Sequence, residues 1–586
     1  MPTHDLLIRG GTVVDGTGTS AHTADVAVAN GRIIAVGKDL GSARRTLNAD
    51  GLVVAPGWVD VHTHYDGQAV WDQSLSASLN QGATTVVMGN CGVGFAPVFP
   101  DRREWLIYMM ESVEDIPRES LSAGIDWQWE TFPEYLDALS TIPHTIDIGT
   151  QVPHAALRVY VMGERGENNE LATAEDIEKM AALTRAAIEA GALGFSTSRT
   201  MVHATPAGVP IPGTFAGEDE LIGIGRGIAQ TGRGIMEVVT DAVIGNNLAL
   251  VAKEMGWMRQ VAAAGCPITF LLAQTNLLPD VWRDLLQRCE TANREGARII
   301  PQVFARPVTL LFSFQGEHPF QYMPSYAPLK HLPHAEKMQA LRNPDIRRRL
   351  LAEEDPSTAG ISIAYKQPST WQMTFPMGQP LNYFPDPDNN VAAIAERRGC
   401  SVKEAAYDLL LERDGRAFLM FAGAGYADKN RDALYTMLTH PLTVMGGSDA
   451  GAHMRFICDV SAQTFMLTSW VRDCGEGNRY HLPLEFVVKK QTHDTARLFG
   501  IYDRGTLEPG KKADINLIDL NALHIETPEM VYDLPAGKPR LLQKARGYEA
   551  TVVSGEIVQE HGQETGARPG QLVRGGQCGV QRQAAA

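Results

Sequence analysis

The stretch Ala55-Pro56-Gly57-Trp58-Val59-Asp60-Val61-His62-Thr63-His64 decides how the chain is organised. Its Pro-Gly pair ends a β-rich region, and a short apolar strand follows. His62 and His64 are two residues apart, so both side chains lie on the same face of that strand. Two imidazoles at the end of a strand can share a metal ion. The stretch therefore predicts a metal site at the start of a second domain, the alternative being two ordinary polar residues at a rim.

The two ends of the chain, residues 1–55 and 496–586, read as β structure. Asn30-Gly31 separates two alternating apolar runs, which is a strong hairpin signal. The C-terminal region has similar short apolar runs, with a turn at Ser554-Gly555. The two ends are expected to form one small β-sandwich domain.

The middle region, residues 56–495, alternates short apolar runs with helical patterns such as Ala174–Ala190. Strands that alternate with helices indicate βαβ units and a parallel sheet. Seven or eight such units predict an α/β fold of the TIM-like (β/α)8 barrel type. The predicted strands are Thr84–Met88, Thr145–Ile148, Gly194–Ser196, Gly234–Val239, Ile268–Leu272, Ile299–Val303 and Thr443–Met445.

Residues 307–435 interrupt this alternation with proline-rich loops and a predicted helix over Glu336–Leu351. They are expected to form an insertion over the barrel mouth. The last fifteen residues, 572–586, are rich in Gly and Gln and are expected to be loose.

Composition excludes several classes of protein. The chain has 586 residues, with 52 Lys and Arg against 68 Asp and Glu, and a formal net charge of −16. This acidic balance argues against a nucleic-acid binder. No apolar run reaches the roughly 18 residues of a membrane span, and residues 1–5 lack the start of a signal peptide. Seven scattered cysteines do not indicate a disulfide framework. We expect a reduced, cytoplasmic protein with no nucleic-acid or membrane partner.

Two further positions carry metal or acid–base chemistry. Cys91 lies in Gly89-Asn90-Cys91-Gly92, where it could be a Zn²⁺ ligand or a small buried apolar residue. Asp449 follows an apolar strand and Gly446-Gly447-Ser448, which places it at the catalytic end of a barrel. A carboxylate there can take a proton from a metal-activated water, or it can cap the next helix.

These motifs resemble those of the amidohydrolase superfamily, and within it the N-acyl-D-amino-acid deacylases of the D-aminoacylase branch. The resemblance covers nearly the whole chain. It implies a metal-dependent barrel with a β-sandwich built from both chain ends. It assigns Cys91 as a metal ligand and Asp449 as general base and acid. The resemblance also rests on three other segments, which are His154-Ala155-Ala156-Leu157-Arg158, Gly191–Thr197 and Gly447-Ser448-Asp449.

The chain departs from this branch on the fifth and sixth strands, where the family supplies histidine ligands. Neither Gly234–Asp241 nor Pro267–Gln274 contains a histidine. His62, His64, Cys91 and Asp449 then remain, and they suit one zinc ion, with two as the alternative.

Three other residues are candidates for contact with the metal or the substrate. Glu237 could compensate for a missing ligand, or could pair with an arginine, because an unpaired buried carboxylate is costly. His453 could touch the metal, orient Asp449, bind substrate or be an ordinary loop residue. His154 lies in the segment that resembles the family's third strand.

Arg306 and Arg199 are candidates for binding a substrate carboxylate, because a guanidinium offers a bidentate fork. Lys366 is a third candidate, with a solvated loop lysine as its alternative.

The main hypothesis is a zinc-dependent hydrolase that deacylates N-acyl-D-amino acids or similar small N-acyl compounds. One alternative is an amidohydrolase acting on a cyclic amide or an acylated natural product. The other is a non-catalytic assembly protein on the same fold. A homo-oligomer is the default expectation for an enzyme of this size.

Overall fold

Two large sheets organise the chain, which a computed structural model describes at residues 4–245, 247–357 and 366–575. In chain order the strands are β1 His4–Val13, β2 His22–Ala29, β3 Arg32–Gly37, β4 Ala43–Asn48, β5 Val53–Pro56, β6 Trp58–Asp60, β7 Ala83–Met88, β8 Asp147–Pro153, β9 Gly194–Arg199, β10 Met236–Thr240, β11 Ile268–Leu272, β12 Ile299–Val303, β13 Val308–Phe312, β14 Thr374–Pro376, β15 Leu419–Ala424, β16 Val444–Met445, β17 Ile515–Ile518, β18 His524–Ile525, β19 Glu529–Leu534, β20 Lys538–Leu542, β21 Ala545–Arg546, β22 Tyr548–Val553, β23 Glu556–Glu560 and β24 Gln563–Glu564.

The described helices cover the barrel and its insertion. Their bounds are Gln68–Trp71, Ser76–Leu79, Arg103–Val113, Arg118–Gly124, Phe132–Thr141, His154–Met162, Glu164–Glu167, Ala174–Ala190, Glu218–Gln230, Asp241–Ile244, Ala249–Ala263, Val281–Arg294, His334–Leu341, Pro344–Ala352, Pro368–Gln372, Val391–Arg398, Val402–Gly415, Asp432–Thr439, Ala462–Phe465, Leu484–Gln491 and His493–Leu498. None of these described helices combines the length and the apolar character that a bilayer crossing requires.

The barrel contains eight parallel strands in the order β16-β12-β11-β10-β9-β8-β7-β6. A parallel bridge between Thr63 and Ala450 joins the segments that follow the first and the last strand. The His64 amide donates to the Ala450 carbonyl at 2.7 Å, and the Asp449 amide donates to the His62 carbonyl at 3.2 Å. The predicted TIM-like barrel is confirmed, and its closure brings two of its sequence motifs side by side.

Both chain ends form the second large sheet, with the order β24-β23-β22-β17-β5-β1-β2-β3 and β4 beside β1. Asn30 and Gly31, both at positive φ, make the predicted turn between β2 and β3. Gly57 then leads directly from this sheet into the barrel. A Cβ atom there would lie 2.2 Å from the Thr84 side chain, so only glycine fits. The predicted β domain from both ends is confirmed, while the boundaries 1–55, 56–495 and 496–586 stay a prediction.

The insertion has its own three-stranded sheet, β13-β15-β14, and a separate apolar cluster around Phe314, Phe320 and Tyr407. The Leu311 amide donates to the Phe456 carbonyl at 2.6 Å, a few residues after Asp449. The insertion therefore lies against the segment that follows the last barrel strand, while its bounds and its position over the mouth stay a prediction.

Two local predictions were wrong. The helix expected over Glu336–Leu351 is two helices, because Asn343 caps a second one and Pro344 occupies its first position. Residues 572–575 are not loose: the Val573 amide donates to Ile148 O at 2.7 Å, and the Gly575 amide donates to Gly191 O at 2.9 Å. The rest of the expected loose tail, 576–586, lies outside the described residues.

Candidate metal centre

Three residues from two adjacent strand ends meet inside the barrel. The ligand atoms of His62, His64 and Cys91 all lie within 4.8 Å of one another, and the three side chains are buried. In the described ranges this is the one group of three or more such residues with that spacing. The His62 Nε2 to Cys91 Sγ distance is 3.4 Å. An N, N, S donor set of this kind suits Zn²⁺.

A strained turn after β7 presents Cys91 to the histidines. Gly89 and Gly92 have φ of 78° and 71°, and Cys91 itself has φ of 56°, in the left-handed region. A Cβ at Gly89 would lie 2.4 Å from the Gln151 carbonyl oxygen. Burial and the nearby Glu237 carboxylate raise the pKa of the Cys91 thiol well above its usual range. A coordinated cation is what deprotonates such a thiol.

Asp449 lies close to the two histidines, and its backbone is also at positive φ. Its Oδ1 is 3.5 Å from His62 Nε2 and 3.8 Å from His64 Nε2. Burial, followed by the charges of Asp459 and Asp60, raises the pKa of Asp449 to about 8. This carboxyl group is therefore suited to accept and return a proton near neutral pH.

The two histidines are oriented by groups behind them. His62 Nδ1 lies 3.2 Å from Gln302 Oε1. Because that oxygen only accepts, Nδ1 carries the proton and the Nε2 lone pair faces Cys91 and Asp449. His64 Nδ1 lies 3.3 Å from Glu114 Oε1, which favours the same tautomer.

Glu114 is a central residue that sequence reasoning missed. It is buried just after the helix Arg103–Val113, and its Oε2 is 3.7 Å from His453 Nε2. Burial, then Asp449 and Asp66, raises the pKa of Glu114 well above its usual range. No strand-end motif marks this position, because Glu114 follows an ordinary amphipathic helix.

Two more histidines lie near the cluster. His453, at φ of 51°, has its ring centroid 6.4 Å from that of His64. His203, on the loop after β9, is hydrogen-bonded to Ser198 Oγ at 2.9 Å. His203 contributes to lowering the pKa of His62, His64 and His453, after burial, which is the main cause in each case. His203 was not among the predicted site residues, since its loop has no recognisable motif.

Glu237 lies on β10 beside the cluster. Its side chain is fully buried, and its Oε2 accepts a hydrogen bond from the Cys91 amide at 2.9 Å. Burial raises the pKa of Glu237 to about 8. The alternative expectation, an arginine partner, was wrong among the described residues: the contact is to the Cys91 backbone.

His154 is not part of this cluster, which corrects its candidate role. Its Nδ1 lies 2.8 Å from Thr197 Oγ1 and its Nε2 lies 2.8 Å from Glu220 Oε1. Arg158 donates to the same carboxylate. Both ring nitrogens of His154 are therefore used in a buried ion-pair network.

The two candidate arginines are also engaged elsewhere. Arg199 donates to Glu254 through Nε and Nη2, at 2.7 and 3.0 Å. Arg306 Nη2 is 3.0 Å from Asp459, and the guanidinium lies 3.6 Å from the centroid of the Tyr383 ring. These buried pairs do not support the expectation that Arg199 or Arg306 binds a substrate carboxylate.

Lys366 does not lie in the barrel interior. It is exposed, and its Nζ donates to the carbonyl of Ser357. This matches the alternative of a solvated loop lysine.

The site fits a cation in a second respect. Several fully buried polar atoms have no hydrogen-bond partner among the described residues, and they include Glu114 Oε2, Glu237 Oε1 and His453 Nδ1. Such atoms are rare in native proteins unless a ligand, ion or water satisfies them. Their position around one N, N, S cluster is what a bound divalent ion would explain.

Known proteins were compared with the chain. A model described as the amidohydrolase family matches residues 45–559. N-acyl-D-aspartate deacylase from Alcaligenes xylosoxydans xylosoxydans is 27% identical to this chain, and the alignment covers 98% of this chain and 95% of that protein. D-aminoacylase from the same organism is 37% identical, but over 194 residues, which are 33% of this chain and 37% of that protein.

Solved structures show the same fold. N-acyl-D-glutamate deacylase from Bordetella bronchiseptica, complexed with zinc and a phosphonate inhibitor, superimposes with a TM-score of 0.63 at 24% identity. The superposition covers 97% of this chain and 99% of that one. With the family match over most of its length and a metal-type cluster in its barrel, this chain belongs to the amidohydrolase family.

Proposed function

We propose that the protein is a zinc-dependent amide hydrolase that deacylates N-acyl-D-amino acids or related small N-acyl compounds. The observation that carries the proposal is the cluster of His62, His64 and Cys91, with Asp449 3.5 Å from His62. The similarity to deacylases of N-acyl-D-aspartate and N-acyl-D-glutamate supports the substrate class.

In this proposal His62, His64 and Cys91 hold the zinc ion. Bound zinc supplies Lewis acidity, which polarises the scissile carbonyl and makes a water molecule more acidic. Gln302 and Glu114 keep the imidazoles in the tautomer that presents Nε2.

Asp449 carries the proton. Its Oδ1 accepts the proton from the attacking water, and it returns the proton to the nitrogen of the leaving amine as the C–N bond breaks. The side chain is only 13% exposed, which limits the access of bulk water to this proton.

The test is the Asp449→Asn variant. We expect turnover to be lost while the zinc content and the melting temperature stay close to those of the wild type, because the amide keeps the size of the side chain. Asp284→Asn, an exposed residue on an outer helix, is the matched control. Near-normal turnover of Asp449→Asn would remove Asp449 from the mechanism.

A second substrate class has one observation in its favour. Arg199 and Arg306 are neutralised by Glu254 and Asp459, so neither is free to bind a substrate carboxylate. An amide without a carboxylate, such as a cyclic amide or an acylated natural product, needs no such partner. Comparing kcat/KM for N-acetyl-D-amino acids with that for cyclic and larger neutral amides separates the two classes.

We also propose that the protein works in the cytoplasm, as a homo-oligomer, without nucleic-acid or membrane partners. The net charge of −16 supports the part of this proposal that excludes a nucleic-acid partner.

A further inference from the structure

Glu237 is a buried carboxylate with one unused oxygen. The residue is 0% exposed, and its Oε2 accepts a hydrogen bond from the Cys91 amide. Oε1 has no hydrogen-bond partner among the described residues. A buried carboxylate in this condition is costly unless a positive charge compensates it.

Some other buried carboxylates of the barrel have such a charge, whereas Asp60, Asp66 and Glu114 have no arginine or lysine partner among the described residues. Glu220 pairs with Arg158, and Glu254 pairs with Arg199. Asp147 is bound by both Arg504 and Lys512. For Glu237 the described residues provide no salt-bridge partner, so a bound cation would compensate its charge when the group is ionised.

The position of Glu237 indicates where that cation binds. The residue that contacts its Oε2 is Cys91, whose sulfur belongs to the N, N, S cluster. Glu237 is therefore next to Cys91, although its oxygens lie outside the group of ligand atoms that are all within 4.8 Å of one another.

We propose that Glu237 is a metal ligand, donating Oε1 to the ion held by Cys91 and the two histidines. The proposal rests on the proposed function in that the cluster must bind a divalent cation. A thiolate and a carboxylate together carry two negative charges, which one divalent ion neutralises inside the barrel. The ligand set then contains one sulfur, one oxygen and two nitrogen atoms, and Asp449 stays free to move a proton.

The test uses Glu237→Gln with Thr269→Val as the matched control. Thr269 is the register neighbour of Glu237 on β11 and is equally buried, but it lies outside the donor set. Zinc affinity is measured by competition with a chromophoric chelator. We expect at least a tenfold weaker affinity for Glu237→Gln and an unchanged affinity for Thr269→Val.

Two readouts separate ligation from a general structural effect. In cobalt-substituted protein, the thiolate-to-cobalt absorption should persist in Glu237→Gln, because Cys91 is intact, while the ligand-field bands change. The metal-free variant should melt at or above the wild-type temperature, because a neutral amide replaces an unpaired carboxylate. Its gain in melting temperature on adding zinc should be smaller than that of the wild type.

Each outcome is decisive. Equal zinc affinity and identical cobalt spectra for Glu237→Gln and wild type would overturn the proposal for Glu237 alone. A wild-type protein that binds neither zinc nor cobalt would overturn the proposed function as well. If Glu237→Gln does not fold, Glu237→Asp takes its place: it keeps the charge but withdraws the oxygen, and unchanged affinity and spectra would again refute ligation.

Discussion

Replacing Glu114 with leucine is expected to weaken metal binding without weakening the fold. Glu114 Oε1 lies 3.3 Å from His64 Nδ1, and Oε2 lies 3.7 Å from His453 Nε2. Leucine fills similar space but cannot accept a proton from either imidazole. His64 is then free to adopt the other tautomer or to rotate away from His62 and Cys91.

The expected magnitude follows from the position of Glu114 behind a single ligand. Loss of a carboxylate that orients a metal-bound histidine costs roughly 10- to 100-fold in metal affinity, which is about 1.4 to 2.8 kcal/mol of binding free energy. The metal-free protein should be as stable as the wild type or more so, because Glu114 is a buried carboxylate without an arginine or lysine partner among the described residues.

Two measurements test this prediction. One is the zinc affinity, by competition with a chelator, and the other is the free energy of unfolding of the metal-free protein. Asp115→Asn is the control, because the neighbouring Asp115 binds Arg455 and not a histidine. Wild-type zinc affinity in Glu114→Leu would refute the orienting role. A large loss of metal-free stability would show that Glu114 acts on the fold instead.

Three further predictions concern the fold. Glu220→Ala should lower the free energy of unfolding by about 3–5 kcal/mol, because it leaves Arg158 buried and unpaired; a folded variant that has lost its zinc would contradict the separation of this network from the metal centre. Gly57→Ala should lower the free energy of unfolding by about 1–3 kcal/mol, measured by urea denaturation, because the new Cβ lies 2.2 Å from the Thr84 side chain. Adding Thr84→Ala to this variant should restore part of the lost stability, and no recovery would refute the clash. Burial lowers the pKa of His318 from 6.5 to about 3. As the pH drops below 6.5 the unfolded chain therefore takes up a proton at His318 that the folded chain does not, and the free energy of unfolding falls by about 1.4 kcal/mol per pH unit. His318→Gln should make the free energy of unfolding depend less steeply on pH, and an unchanged slope would refute this role of His318.

Local patterns were sufficient for the regular elements. The helix Ala174–Ala190 has the predicted bounds because Thr173 and Asp176 form a capping box at its start and Gly191 follows its end. The single helix predicted over Glu336–Leu351 was wrong for an equally local reason, since Pro344 cannot continue a helix and begins a second one. Strand β8 begins two residues later than expected and continues to Pro153, where His154 starts a helix.

Some residues of the candidate site are marked by the sequence, and others are brought to it only by the fold. His62 and His64 are marked by a strand-end motif, whereas the roles of Cys91 and Asp449 were implied by the family resemblance; the structure brings all four together. Glu114 and Gln302 act on the site from a helix end and from inside a strand, where no motif marks them. The roles expected for His154, Arg199 and Arg306 were not supported, because Glu220, Glu254 and Asp459 pair with them across long stretches of sequence.

The sequence by itself determined the barrel, the β domain of both chain ends and the His-x-His, Cys and Asp motifs, because strand periodicity, glycine turns and metal-ligand spacing are local properties. Only the tertiary structure decided which charged side chains are paired and which carboxylates remain without a cation. Glu220 and Glu237 both lie buried in the barrel, yet one faces Arg158 and the other faces the backbone of Cys91. That difference depends on which distant residues share a buried space, and burial is what makes an unpaired charge costly enough to indicate a metal.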